Sequence, residues 1–370
     1  MAESRLHSLA GRGQSVWFDT LSRELVRTGE LKRMMEADAV TGVTSNPTIF
    51  QKALSQGDAY DEGFRAALAE GLDPVAIFFK LALEDIREAC DVLRPAWEAS
   101  GGADGYISME VDPRLAYDTV GTFEQAMWIH TEVDRPNLMV KIPATQLGLS
   151  AIEDSIARGK SINITLIFSL ERYRAVVEAY LRGLERLVAS GGDPSQVASV
   201  ASFFVSRVDT EADKRLDEIG TKEALALRGK LAIANAKLAY EHYEEAFAGP
   251  RWEYLAGKGA RDQRCLWAST STKNPAYRDV LYVEELIGPE TVNTMPLETI
   301  EAFQDHGEVR GDTVKEGLDE ARQLLADLAV AGVDYDDVTA TVESEGVEKF
   351  VASFAEILDG IAAKRTSLAA

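Results

Sequence analysis

Residues 138–145 read LMVKIPAT, an apolar run with a single amine, Lys141, which is the most informative residue of the chain. A short, nearly continuous apolar run is typical of a parallel strand that is covered on both faces. The chain contains seven similar β-rich runs, and the eight predicted strands are residues 15–19, 40–44, 105–111, 137–142, 161–168, 198–205, 265–269 and 291–295. The arrangement of these strands depends on what separates them.

Longer segments with apolar residues at helical spacing lie between the strands. They are residues 21–35, 74–97, 122–131, 150–158, 171–189 and 221–247, with two more helices predicted at 314–330 and 347–361. Eight strands that alternate with helices predict an α/β protein with a (β/α)8 TIM barrel, and a doubly wound open sheet is the alternative. We expect one domain over residues 1–370, with additional helices in loops and a helical tail from about residue 297.

The bulk composition limits the classes of function. Of the 370 residues, 46% are hydrophobic, and the formal net charge of −22 disfavours nucleic acid and anionic membranes because the mean field repels phosphate. We find no apolar run of about 18 residues, so no membrane span is predicted. Two distant cysteines, Cys90 and Cys265, and a polar N-terminus predict a cytoplasmic protein. The four histidines are scattered, and no metal site is predicted.

Lys141 itself has two interpretations. An edge strand often carries a lysine that blocks pairing with other chains. Alternatively, burial disfavours the ammonium form, and a neutral lysine amine is a nucleophile towards carbonyl groups. The strand alone favours the first interpretation, so the rest of the chain has to decide.

Polar side chains occur near the C-terminal ends of the predicted strands, where barrels of this type carry their chemistry. Asp19 ends the first strand, Asn46 follows the second and Glu110 lies near the end of the third. Asp19 and Asn46 are also good helix caps, and Glu110 is a possible partner for a surface arginine. In a barrel, however, Asp19, Glu110 and Lys141 converge on one space.

The fifth strand adds two polar groups with the same side-chain phase. Asn163 and Thr165 are two residues apart, so both point to one face of the strand, and polar groups inside a barrel need partners such as water or substrate. One lysine with several carboxylates and amides is the composition of a Schiff-base site, which needs a nucleophile, a proton shuttle and groups that hold water and hydroxyls.

The segment after the seventh strand resembles an anion site. Residues 269–272 are four hydroxyl side chains, Lys273 follows them, and Pro275 suits the first turn of a helix, whose N-terminus would bind phosphate. Arg207, after the sixth strand, is a candidate to complete the site. The alternative is a helix N-cap with a solvated lysine.

Seven segments in chain order give the sequence a family resemblance. They are residues 15–20 (SVWFDT), 42–50 (GVTSNPTIF), 107–118 (ISMEVDPRLAYD), 138–151 (LMVKIPATQLGLSA), 161–169 (SINITLIFS), 201–209 (ASFFVSRVD) and 267–295, which begins WASTSTKNPAYRD. The chain resembles the transaldolases of the longer bacterial type, and residues 333–350 of the tail look similar to that family as well.

The resemblance implies a class I aldolase barrel that transfers a dihydroxyacetone unit between phosphorylated sugars, in the non-oxidative pentose phosphate pathway. It implies that Lys141 forms the Schiff base, that Asp19 transfers a proton, and that Glu110 and Thr165 hold the catalytic water. Substrate contacts are predicted for Asn46, Asn163, Ser202, Phe204, Arg207, Ser271 and Lys273. No cofactor or metal is expected, and the partners are small phosphorylated sugars, with a monomer or a homodimer as the assembly.

Two other functions remain open at this point. A fructose 6-phosphate aldolase-type lyase would release free dihydroxyacetone, although those enzymes are shorter than 370 residues and hold the catalytic water differently. A catalytically silent barrel that senses sugar phosphates would need neither Lys141 nor Asp19. One departure from the better-known shorter transaldolases is the segment after strand seven, which is longer and carries Lys273 where they have an arginine. Whether the helix predicted at 347–361 covers the site is also open.

Overall fold

The computed structural model describes residues 4–55 and 59–369. Within them eight parallel strands pair in chain order, and the last strand pairs with the first, so the sheet closes into a barrel. The strands are β1 (Gln14–Phe18), β2 (Val40–Thr44), β3 (Ile107–Glu110), β4 (Leu138–Pro143), β5 (Ile162–Ile167), β6 (Ser199–Phe204), β7 (Gln263–Ala268) and β8 (Thr291–Met295). The predicted (β/α)8 barrel is confirmed, and the open sheet is excluded by the pairing of β1 with β8.

Helices connect the strands and extend the chain after β8. They are α1 (Arg5–Ala10), α2 (Arg23–Arg27), α3 (Glu30–Ala37), α4 (Pro47–Ser55), α5 (Asp61–Ala69), α6 (Pro74–Ala99), α7 (Thr119–Val133), α8 (Gly148–Ala157), α9 (Leu170–Ala189), α10 (Ser206–Ile219), α11 (Lys222–Leu225), α12 (Leu231–Ala246), α13 (Gly249–Ala256), α14 (Leu281–Glu285), α15 (Leu297–His306), α16 (Leu318–Ala331) and α17 (Tyr335–Ala369). Short 3-10 turns occur at Pro113–Leu115, Pro194–Gln196 and Thr313–Lys315.

Two helices that were predicted as continuous are each divided at a glycine. Gly29 separates α2 from α3 with a φ of 83°, and Gly229 lies between α11 and α12 with a φ of 70°. Glycine adopts this left-handed backbone without the steric cost that a Cβ imposes. The predictions of one continuous helix at 21–35 and one at 221–247 are therefore wrong. The helical spacing of the apolar residues continues across each glycine, whereas the helical backbone does not.

Two predicted strands are shifted at their ends for a similar reason. β3 begins at Ile107 rather than at residue 105, since Gly105 has a φ of 87°. β7 runs over Gln263–Ala268 and not 265–269, because Ser269 has a φ of 57° and leaves the extended conformation. A non-glycine residue with this backbone is uncommon and is concentrated at functional sites.

Side chains fill the barrel below the C-terminal ends of its strands. Trp17 lies beside Gly42, where an added Cβ would come within 2.4 Å of the indole ring. The indole Nε1 donates to Asp104 at 2.8 Å, and Arg264 donates to the Ser15 hydroxyl at 2.7 Å near the N-terminal ends. The cavity described below lies at the opposite, C-terminal ends of the strands, where barrels of this type carry their chemistry.

The tail helix α17 crosses the mouth of the barrel. It is 35 residues long, and the helix predicted at 347–361 is its central part. Near its start, the Tyr335 hydroxyl donates to Asn235 at 2.7 Å. Further along, Ser353 bonds Thr48 at 2.8 Å, and the Phe354 ring meets Phe78 at 5.1 Å. Neither α17 nor any other helix of the described residues is long and apolar enough to cross a membrane.

Candidate active site

A cavity of about 190 Å³ opens at the C-terminal ends of the strands, beneath α17. Its walls are formed by Asp19, Thr44, Asn46, Lys141, Thr165, Ser202, Phe204, Arg207, Ala268, Ser269, Ser271, Lys273, Thr294, Pro296, Glu298 and Phe350. Nine of the eleven predicted site residues are in this set, and the other two, Glu110 and Asn163, are buried on the strands that flank β4. The space suits a small polar molecule, since most of its walls are hydroxyl, amide or charged side chains.

Lys141 lies in the middle of β4 and is only 4% exposed. The strand pairs with β3 on one side and β5 on the other, so the interpretation of Lys141 as an edge-strand residue is wrong. Its Nζ donates to the Ser45 carbonyl at 3.1 Å, a neutral acceptor, and none of the described carboxylates lies within 4 Å of the amine as an ion-pair partner. A buried amine without an ion pair is unusual for a structural lysine and is typical of a functional one.

Asp19 follows β1 and is held by hydroxyl groups. Thr44 donates to Asp19 Oδ1 at 2.7 Å and is itself in contact with the Thr294 hydroxyl at 2.7 Å. Burial raises the pKa of Asp19, while the Lys141 charge and the Thr44 hydrogen bond oppose that rise. The carboxyl therefore sits within electrostatic reach of the amine, in a place where its proton affinity is above the usual value.

Glu110 is opposite Lys141 on the neighbouring strand β3. Both of its carboxyl oxygens are buried and have no hydrogen-bond partner among the described residues, and the same is true of the Thr165 hydroxyl. Glu110 lines a small cavity together with Phe78 and Phe354, and burial raises its pKa to about 7 despite the Lys141 charge. Buried polar atoms of this kind require water or a ligand, and a carboxyl with this pKa exchanges protons readily near neutral pH.

Glu110→Gln should remove a pH-dependent part of the protein's stability. The carboxyl titrates at about 7 in the folded protein and near its usual 4.5 in the unfolded chain. Folding therefore favours the neutral carboxyl, and this preference contributes to the free energy of unfolding. The contribution is full below a pH of about 4.5 and is lost as the pH rises through about 7, which lowers the stability by roughly 3 kcal/mol. In urea unfolding, we expect the variant to gain about this much relative to the wild-type chain when the pH is raised from about 5 to about 8.

The exposed Glu124 on α7 supplies a matched control, because Glu124→Gln makes the same chemical change in solvent. Its stability difference from the wild-type chain should not depend on pH in this range. An equal pH dependence for the two variants would contradict the role of burial at Glu110.

The two amides differ in their surroundings. The side chain of Asn46 caps α4, because its Oδ1 accepts from the Ile49 N–H at 3.1 Å, and the residue also lines the cavity. The helix cap at Asn46 is therefore confirmed, whereas its contact with substrate stays a prediction. Asn163 does not line the cavity. It is fully buried between the hydroxyls of Ser108 and Ser202, at 3.0 and 2.7 Å.

The end of the cavity that Arg207, Ser271 and Lys273 line is predicted to bind an anion and is called the anion end below. Its structure differs from the prediction in one respect. No helix begins at Pro275, because Asn274 closes a turn with the Ala276 N–H at 3.0 Å, and the Tyr277 hydroxyl donates to Asp213 on α10. The predicted helix N-terminus after strand seven is therefore wrong. Lys273 nevertheless lines the cavity as predicted, with its Nζ donating to Ser271 at 2.6 Å.

Arg207 forms the other side of this end, in the first turn of α10. Its guanidinium lies between two rings, 5.2 Å from the centre of Phe204 and 5.9 Å from that of Phe350. Burial lowers its pKa, although the charges of Glu110, Asp19 and Glu345 act against this effect. It has no carboxylate partner within 4 Å in the described part of the chain, so its charge is available to an anion.

Seven of the sixteen lining residues were not among the predicted site residues, and four of them bear on the site. Thr44 and Thr294 lie on β2 and β8, and a search for hydroxyls at every strand end would have found them. Glu298 lies in the first turn of α15, and its charge raises the pKa of Asp19. Phe350 comes from the tail, and no feature of the strand pattern indicates it.

The closed barrel carries a buried lysine on β4, with the buried Glu110 and the half-buried Asp19 near it, and this arrangement is that of a (β/α)8 barrel of the class I aldolase type. The chain belongs to the transaldolase/fructose-6-phosphate aldolase family, whose model matches residues 16–361. Proteins named transaldolase from Frankia alni and Thermobifida fusca are each 54% identical to it, over 96% and 97% of this chain and 96% and 98% of their own length. One from Mycobacterium ulcerans is 52% identical over 98% of both chains.

Proposed function

We propose that this chain is a transaldolase that transfers a dihydroxyacetone unit from a ketose phosphate, sedoheptulose 7-phosphate or fructose 6-phosphate, to an aldose phosphate, glyceraldehyde 3-phosphate or erythrose 4-phosphate. The observation that carries the proposal is the buried, unpaired amine of Lys141 beside the carboxyls of Asp19 and Glu110. The similarity to proteins named transaldolase over nearly the whole chain favours transfer over a lyase reaction.

The first step uses Lys141 and Glu110. The neutral amine adds to the C2 carbonyl of the ketose, and the hydroxyl on C2 then leaves as water to give the iminium. Glu110 supplies the proton with which the hydroxyl leaves as water, and it takes a proton back when the iminium is hydrolysed. Thr165 holds that water next to Glu110. The pKa of about 7 at Glu110 and the unsatisfied Thr165 hydroxyl support these roles.

The second step uses Asp19. It accepts the proton of the C4 hydroxyl, the C3–C4 bond breaks, the aldose leaves, and the electron pair moves to the nitrogen as an enamine. The enamine then adds to the second aldose, and Asp19 returns its proton to the new hydroxyl. The raised pKa of Asp19 and its hydrogen bond from Thr44 support this assignment, since a weakly acidic, oriented carboxylate is a better base.

We assign the binding of the phosphate to Arg207, Lys273 and Ser271, which all lie on the cavity wall. Arg207 has no carboxylate within ion-pair distance among the described residues, so its charge is available to the phosphate. Asn46 and Ser202 are assigned to the hydroxyls of the dihydroxyacetone unit, and Phe204 to the wall beside Arg207. Asn163 acts from beneath by fixing the Ser202 hydroxyl at 2.7 Å.

We further propose a cytoplasmic enzyme of the pentose phosphate pathway that is a monomer or a homodimer. The two free and buried cysteines support a reducing compartment. We propose residues 1–370 as one domain, and the packing of the tail helix α17 against α4, α6 and α10 supports it.

Transfer and release are distinguished by measuring free dihydroxyacetone. With fructose 6-phosphate alone, the wild-type chain should release little, because the enamine waits for an acceptor. Adding erythrose 4-phosphate should produce sedoheptulose 7-phosphate at a rate at least about tenfold above release, a difference of roughly 1.4 kcal/mol in barrier. Release that equals or exceeds transfer would instead identify a fructose 6-phosphate aldolase.

A further inference from the structure

Gly346 lies in the middle of α17, at the point where that helix passes over the anion end of the cavity. A Cβ built on it would lie 3.2 Å from Leu166 Cδ2, 3.4 Å from Arg207 Nη1 and 3.5 Å from Phe168 Cε2. Glycine inside a helix costs roughly 1 kcal/mol relative to alanine. This position therefore has a packing reason to lack a side chain, and the group it approaches is a guanidinium that no described carboxylate pairs.

The same face of α17 provides the ring that covers Arg207. Phe350 is one helical turn after Gly346, and residues four apart lie on one face of a helix. The Phe350 ring is within 5.9 Å of the guanidinium carbon, and Phe350 also lines the cavity. Arg207 is therefore held from above by α17 and from below by Phe204, at 5.2 Å.

The neighbouring strand is shaped to meet the helix. Leu166 on β5 has a φ of 60°, and the pairing of β5 with β6 shifts its register between Ile164 and Ile167. The side chain of Leu166 consequently reaches Gly346, directly after Thr165 on the cavity wall. A leucine in this conformation costs on the order of 1 kcal/mol, which the surrounding contacts must offset.

The ends of α17 are fixed on both sides of Gly346. Arg172 and Arg215 form ion pairs with Glu343 and Asp337 on the N-terminal side. Ser353 bonds Thr48 on the C-terminal side, as described above. A side chain at position 346 cannot be accommodated by moving one free end of the helix. The tightest contact would be with Leu166 Cδ2 at 3.2 Å and the next with Arg207 Nη1 at 3.4 Å, so the leucine side chain, the guanidinium or the helix itself has to shift by a few tenths of an ångström.

We propose that Gly346 is a positioning residue for phosphate recognition, because its missing side chain sets the distance between α17 and Arg207 and thereby places the guanidinium at the anion end of the cavity. The inference rests on the proposed function, in which Arg207 binds the phosphate of the sugar. It also assigns α17 a part in specificity for phosphorylated aldoses, in addition to covering the cavity.

Gly346→Ala should raise the KM for glyceraldehyde 3-phosphate about tenfold while kcat stays within about twofold, because a guanidinium displaced by part of an ångström loses its alignment with the anion. With unphosphorylated glyceraldehyde as the acceptor, kcat/KM should not change. Gly360→Ala is the matched control, since Gly360 is on the same helix and a Cβ there meets nothing within 4 Å. Gly360→Ala gains helix propensity without a close contact, so it should not lower the unfolding temperature. In Gly346→Ala the same gain of roughly 1 kcal/mol opposes the strain of the 3.2 Å contact, so its unfolding temperature should stay close to that of the wild-type chain.

A double-mutant cycle with Arg207→Ala distinguishes the role of Gly346 in positioning Arg207 from the role of Arg207 in binding phosphate. If Arg207→Ala raises the KM for glyceraldehyde 3-phosphate and Gly346→Ala adds nothing in that background, the two residues act through one another as inferred. If Arg207→Ala raises this KM but Gly346→Ala alone does not, the inference is wrong and the phosphate role of Arg207 stands. If Arg207→Ala leaves the KM unchanged, the phosphate role and the inference both fail, whereas transfer activity is still judged by the product assay.

Discussion

Lys141→Ala should lower kcat for dihydroxyacetone transfer by about 10⁴-fold or more, because a covalent mechanism without its nucleophile keeps only binding and orientation. The position is almost fully buried, and the amine bonds only the Ser45 carbonyl among the described residues, so its removal breaks no ion pair. The variant should therefore remain folded. Steady-state transfer from fructose 6-phosphate to erythrose 4-phosphate measures the loss.

Lys141→Arg is the matched control for charge. It keeps a cation at the position, but its guanidinium does not deprotonate in a protein and so does not form a Schiff base. We expect the same loss of activity in both variants. If Lys141→Arg retains more than about a tenth of the wild-type kcat, the positive charge matters and the nucleophile does not.

Asp19→Asn should lower kcat by about 10²- to 10⁴-fold, since it removes the base that accepts the proton of the C4 hydroxyl. The amide oxygen still accepts the hydrogen bond from Thr44, so the geometry of the site is kept. The Schiff base with fructose 6-phosphate should still form, because that step uses Lys141 and Glu110. The variant should thus accumulate a covalent adduct that does not turn over.

Thr44→Val tests the support of Asp19 separately. It removes the hydrogen bond to the carboxylate but not the base, and we expect a loss of about tenfold, the effect of one charge-assisted hydrogen bond. An Asp19→Asn variant that turns over within threefold of the wild-type chain would show that another group accepts the proton.

The barrel and most of the site could be predicted because their signals are local. An apolar run with one inward lysine is visible in six residues of β4, and parallel strands bring their C-terminal ends together whatever the loops do. The strand pattern alone was therefore enough to predict that Asp19, Lys141 and Thr165 line one cavity, as they do. The positions of the strand ends could not be predicted to the residue, because they depend on single backbone conformations such as that of Ser269.

Other parts of the site depend on contacts that are distant in sequence. Phe350 and Gly346 approach Arg207 from a helix more than a hundred residues away, and no local pattern indicates that contact. The helix predicted after strand seven had good N-terminal signals in Pro275 and its preceding hydroxyls. Tertiary hydrogen bonds, in particular that between Tyr277 and Asp213, hold this segment in a non-helical conformation despite those local preferences.

If Lys141 forms a Schiff base with the ketose, borohydride reduces that imine to a stable secondary amine on the same residue. The wild-type chain is incubated with fructose 6-phosphate, treated with borohydride, digested and measured by mass spectrometry. We predict one stable adduct, on the peptide that contains Lys141, with no adduct in Lys141→Arg. An adduct on a different lysine, or none while the wild-type chain is turning over, would exclude Lys141 as the nucleophile.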